Sequence, residues 1–176
     1  IMDQYIIATA KEATAELLDC EKIEHEYVPL NLGDYKFVVM DSKKKRELAD
    51  TKYNERREEC EKGFEMLKSA AVALSQNNGE KYSNTKDLPN LCALSVAQFE
   101  ECKAAISDSV ILKRVRHVVT ENQRVLDAVD ALKKDDLETL GKLLYESHES
   151  LKNDYEVSCE ELDTLVSMAS EMDGCI

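Results

Sequence analysis

Apolar and polar positions along this chain follow two regimes, and the change comes near residue 50. From there on, apolar residues recur at steps of three and four. Tyr53, Arg57, Cys60, Phe64, Leu67, Ala71 and Leu74 step by four, three, four, three, four and three, which places them on one face of a long helix. On that pattern Tyr53 and Arg57 continue the packed stripe and point inward, and a tyrosine so placed is ordinarily core with its hydroxyl satisfied. Val115, Val118, Asn122, Val125, Val129 and Leu132 form the stripe of a second long helix. Leu137, Leu140, Leu144, His148 and Leu151 form a third, with Asp135 and Asp136 at its start, where negative charge is favoured. Ser95…Gln98 and Ser158…Glu161 read as capping boxes, each leading into further helical periodicity. Asn122 and His148 are polar residues on apolar stripes. Buried polar groups need partners, so both are expected to hold internal hydrogen bonds that fix helix packing.

The first quarter reads differently. Gln4 to Ala10 suits two helical turns, with Asp3 as N-cap. Thr14 to Cys20, Glu24 to Leu30 and Tyr35 to Asp41 read as three strands. The last contains Phe37-Val38-Val39-Met40, a run typical of a strand covered on both faces. Asn31-Leu32-Gly33-Asp34 is the turn before it, and Pro29 ends the middle strand or marks it as an edge. Ser42 to Arg46 is a basic run, read as an exposed loop or helix start or as a rim for anionic phosphate. Residues 75–90, with Gln-Asn-Asn-Gly, Ser-Asn-Thr and Pro89, are expected to be a flexible loop. The fold class that emerges is α+β, a mostly helical layer packed on a small sheet, with 1–176 as a single unit.

A length of 176 residues is enough for one domain with its own core. The formal net charge of -13 argues against nucleic acid or an anionic membrane as the main partner. Six scattered cysteines, none in a CxxC pair, suggest reduced thiols in the cytosol. No run approaches transmembrane length, and no basic-then-apolar leader opens the chain. His25 and His117 lack ligands at useful spacing, so no metal site is expected. The chain opens on Ile1 and closes on Gly174-Cys175-Ile176, and both ends suggest a piece of a longer protein.

Four segments carry a resemblance. Ile1-Met2-Asp3-Gln4-Tyr5 resembles the Gly-Ile-Met-Asp-Gln-Phe segment of galactokinases, members of the GHMP kinases. Lys52 to Glu61 resembles their Tyr-Asn-x-Arg-Arg-x-x-Cys segment. Arg114 to Asn122 is similar to a third recurrent stretch, and Glu146-Ser147-His148 with Asp154 to Cys159 and Glu161 to Asp163 is similar to a fourth. The resemblance covers essentially the whole chain, in order. It implies that Asp3 is the active-site aspartate facing the sugar's anomeric hydroxyl, and that Tyr53 contacts the sugar. It also implies transfer of the ATP γ-phosphoryl group to the C1 hydroxyl of α-D-galactose in the cytoplasm, with ATP and Mg2+ as cofactors.

Departures from that pattern bear on what this stretch does alone. The family's N-terminal sugar motif, its Gly/Ser-rich phosphate loop and its closing glycine motif are absent, and the five glycines form no cluster. The chain is therefore expected to lie between the phosphate loop and the closing motif and to be inactive by itself. A non-catalytic sugar sensor, an acidic helical interaction module and a sister kinase for N-acetylgalactosamine stay open as alternatives. If the chain ends where it does, an unpaired sheet edge leaves room for self-association.

Overall fold

The computed structural model describes residues 2–44, 50–78 and 88–176. Helix α1 spans Met2–Thr9. Strands β1, Thr14–Asp19, and β2, Glu24–Pro29, form an antiparallel hairpin whose register runs from Thr14 opposite Pro29 to Asp19 opposite Glu24. Helix α2 is Asp50–Asn78, α3 is Val96–Cys102, α4 is Ser109–Lys133, α5 is Leu137–Ser150 and α6 is Glu160–Ser170. Short 3-10 turns at Leu91–Ala93 and Lys103–Ala105 flank α3, and α5 runs on into a π-helical turn at Leu151–Tyr155. The α+β expectation holds: a helical layer on a small sheet.

Local chemistry sets the starts of these elements. The Ser95 hydroxyl accepts from the Gln98 N–H while the Gln98 side chain reaches back to the Ser95 N–H, so the expected capping box closes. Asp108 caps α4 through the N–H groups of Val110 and Ile111, and Asp136 caps α5 through that of Thr139. The second capping box does not form. Cys159 is the N-cap of α6, and the Ser158 hydroxyl donates instead to the Asp163 carboxylate at 2.7 Å.

The core lies where α2, α3 and α4 meet. Leu67, Phe99, Cys102, Ile111, Val115 and Val119 belong to one buried cluster. At Gly63 the two long helices touch most closely: a methyl group there would collide with the Val115 side chain and crowd that of Ile111. A glycine is required by this close approach rather than by an unusual backbone angle. The hairpin packs on α4 through β2, where Val28 is fully buried, and Lys133 to Glu26 at 2.7 Å bridges the two. Helix α1 buries no residue and is held on the hairpin by polar contacts. Tyr5 Oη pairs with His25 Nδ1 at 2.6 Å, Tyr27 donates to the Thr9 carbonyl at 2.7 Å, and Thr9 donates to Glu16 at 2.8 Å.

Three further expectations are corrected. Tyr35 to Asp41 form no strand; Phe37, Val38, Val39 and Met40 are exposed, because the two-stranded sheet offers them no partner among the described residues. Asp3 lies inside the first turn of α1 rather than before it. Helix α2 continues to Asn78, into the stretch read as loop; residues 79–87 of that reading lie outside the described residues. Asn122 and His148 do find partners: Asn122 donates to the Cys92 carbonyl at 3.1 Å, and His148 Nε2 meets Asp163 at 3.1 Å.

Candidate functional site

The most heavily built polar centre joins the first turns of α2 to α4 and to the end of the π-helical turn. Glu59 Oε2 accepts from Arg56 Nη1 at 2.9 Å and from Arg114 Nε at 2.8 Å. Arg56 Nε donates to the Tyr155 carbonyl at 2.6 Å. Arg114 donates to the Asp154 carbonyl at 2.5 Å and to Glu156 Oε2 at 2.8 Å. Two guanidiniums thus fill carbonyls that a helix end leaves without partners, and cations are favoured at that end. Glu156, at φ 56, sits in the left-handed region and ends the turn.

Both arginines are nearly buried, at 6% exposure for Arg56 and 2% for Arg114. Burial opposes the charge of Arg114, but its hydrogen bonds to Glu156 and Glu59 outweigh that and raise its pKa. The bond from Arg114 in turn holds the Glu156 carboxyl below its ordinary value. Tyr155 completes the centre. Burial, then the Cys60 thiol beside it, pushes its hydroxyl upward, and Tyr53 adds a smaller effect in the same direction.

Behind this centre His117 is buried, with Nδ1 at 2.9 Å from Ser150 Oγ and its ring stacked on Tyr155 at 4.5 Å. Burial pushes its pKa below 6.5. The unfolded chain therefore takes up this proton at a higher pH than the folded one. In the window between the two values the unfolded state binds more protons, so stability falls as pH drops below ~6.5. The expected result is a urea midpoint that decreases between about pH 7 and about pH 5.5, with a flatter dependence for His117→Gln. Equal slopes for the two proteins would show that His117 does not titrate in this way.

The two residues singled out from the sequence stand at helix starts. Asp3 is exposed in the first turn of α1, and Tyr53 is 74% exposed in the first turn of α2. The inward orientation expected for Tyr53 and Arg57 is incorrect. The buried face at this end of α2 carries Arg56, Glu59 and Gly63, stepping by three and four toward Leu67. That spacing was a signal available in the sequence, but charged residues disguised it. Among the described residues no hydrogen bond or ring contact joins Asp3 to Tyr53. A groove of about 440 Å³, lined mainly by apolar residues such as Phe37, Met40, Leu140 and Leu144, contains neither.

The described residues do not fit the expected cofactors. They hold no group of three or more His, Cys, Asp or Glu that could hold a metal ion. The glycines among the described residues, Gly33, Gly63, Gly141 and Gly174, lie far apart and form no glycine-rich loop of backbone N–H groups for a triphosphate. All six cysteines are free thiols, and no described helix is long and apolar enough to cross a membrane.

Residues 128–176 match the family region described as GHMP kinases C terminal. A galactokinase of Clostridium perfringens is 46% identical over 176 residues, covering 100% of this chain and 42% of the relative. One from Clostridium acetobutylicum is 48% identical, again over 100% of this chain and 41% of the relative. The crystal structure of Lactococcus lactis galactokinase complexed with galactose superimposes with a TM-score of 0.84 at 35% identity, over 98% of this chain and 41% of that one. The chain thus spans about two fifths of the length of the relatives it matches. Its residues 128–176 match the GHMP kinases C terminal region, and the chain is similar along its whole length to part of a galactokinase.

Proposed function

We propose that the complete protein carrying this chain transfers the γ-phosphoryl group of ATP to the C1 hydroxyl of α-D-galactose. The observation that carries this reading is the likeness, over 98% of the chain, to a galactokinase solved with galactose bound. Asp3 is the carboxylate beside the attacking hydroxyl, orienting it or accepting its proton. Tyr53 supplies a rigid wall and one polar contact to the sugar ring. Both side chains are exposed and stand where a ligand can reach them. ATP and Mg2+ are held by parts of the complete protein other than residues 1–176. Phosphoryl transfer rests on aligning donor and acceptor oxygens, so residues 1–176 contribute the acceptor side.

A galactose-dependent ADP-release assay on the complete protein and on the 176-residue chain tests the division. The complete protein turns over and the chain alone does not. Turnover by the chain alone would overturn the division of labour. Sugar and nucleotide binding by the complete protein without phosphate transfer would make it a sensor instead of an enzyme.

A further inference from the structure

Tyr53 has no anchor of its own. It is 74% exposed, and among the described residues no hydrogen bond, ion pair or ring contact holds its side chain. Its position in space is therefore the position of the first turn of α2. That turn is tied to the rest of the molecule one helical step later, by Arg56 on the Tyr155 carbonyl and by Glu59 between Arg56 and Arg114.

We infer that Glu59 is a positioning residue for sugar recognition, acting through Tyr53; this rests on the sugar-contacting role proposed for Tyr53. One oxygen, Glu59 Oε2, accepts from both guanidiniums. Glu59 is on α2, Arg114 is on α4, and the carbonyls that the arginines hold end the π-helical turn. Removing the negative charge at Glu59 leaves two nearly buried cations facing each other across an uncharged group. Glu156 still neutralises Arg114 at 2.8 Å, but Arg56 keeps only the backbone carbonyls of Tyr155 and Glu156, at 2.6 and 3.5 Å, and the exposed Glu55 carboxylate at 3.6 Å. The relief open to the pair is separation, which rotates or lifts the start of α2.

The lever is short and steep. A side chain reaches ~6 Å from its helix axis. A rotation of only ~10° then moves its tip by about 1 Å, and a displacement of that size is enough to cost a site up to ~100-fold. Helix α2 need not unfold for this to occur. Its middle stays fixed by Leu67 in the buried cluster and by the close approach at Gly63. The effect of Glu59 is thus confined to the end that carries Tyr53.

The experiment uses the complete galactokinase-length protein and three variants: Glu59→Gln, Tyr53→Phe and the double variant. Glu59→Gln is expected to raise the KM for galactose ~10-fold, with kcat and the KM for ATP within about twofold of the parent. In the Tyr53→Phe background the same substitution is expected to change the galactose KM by less than about twofold, because the polar contact that needs this positioning is already gone. A purely structural role would lower the melting temperature and the active fraction but leave the galactose KM unchanged. That result, or full additivity in the double variant, overturns the inference. If Tyr53→Phe itself leaves the galactose KM unchanged, the role of Tyr53 falls and this inference falls with it. If Tyr53→Phe raises KM and Glu59→Gln does not, only the inference falls. Should Glu59→Gln fail to fold, Glu59→Asp, which keeps the charge but shortens the reach, is read by the same split.

Discussion

Asp3→Ala in the complete protein is expected to lower kcat for galactose phosphorylation by ~10²- to 10⁴-fold, the range for losing a positioned proton acceptor. Binding of galactose, followed by calorimetry, should change far less. The expectation draws on where Asp3 sits as well as on what it is. It stands in the first turn of α1, where free backbone N–H groups favour a carboxylate. Helix α1 buries nothing, yet Tyr5, Tyr27 and Thr9 fasten it to the hairpin by side-chain hydrogen bonds. Those contacts fix the helix that carries Asp3, and so the place from which its carboxylate is presented. Asp3→Asn separates two versions of the role: the amide still orients a hydroxyl but takes no proton. Tyr53→Phe should mainly weaken sugar binding. Wild-type kcat in Asp3→Ala removes the role assigned to that residue.

Arg114→Met should be the most damaging single change to stability, costing roughly 3–5 kcal/mol. The guanidinium is almost fully buried and serves Glu59, Glu156 and the Asp154 carbonyl together. Methionine fills much of the same volume but leaves the Glu59 carboxylate, itself half-hidden, with one cation instead of two. The Glu156 side chain is more exposed and recovers water when its partner goes, which moves the expectation toward the lower end of the range. Arg114→Lys should rescue little, because one ammonium cannot serve three acceptors arranged around a planar fork. Urea unfolding of the chain, with Glu59→Gln and the double variant completing a cycle, measures this. A loss under about 1 kcal/mol for Arg114→Met, or additive single effects, would show the centre to be dispensable.

Much of the fold was legible in the sequence, because helical periodicity is a local signal. The long helices, the hairpin, the capping box at Ser95 and the need for partners at Asn122 and His148 all follow from spacing and hydrogen-bonding capacity. The polar centre was not legible in the same way. At the start of α2 the stripe was extended through Arg57 and Tyr53, whereas the buried face carries Arg56 and Glu59. Arg56 and Glu59 pair with each other within α2, but what lets them be buried comes from elsewhere: Arg114 of α4 on the Glu59 carboxylate, and the Tyr155 carbonyl for Arg56. No window along one segment contains that information. The Phe37 to Met40 run shows the opposite failure. Its composition suits a covered strand, but covering it takes neighbours that the described residues do not supply.

That run also governs how the purified chain will behave in the tube. Val39 is 94% exposed and Val38 78%, so an environment-sensitive dye such as ANS should brighten on the native protein, before any denaturant is added. Handling is affected too: dilute stocks, mild chaotropes or arginine in the buffer should keep the preparation clear where concentrated stocks turn cloudy.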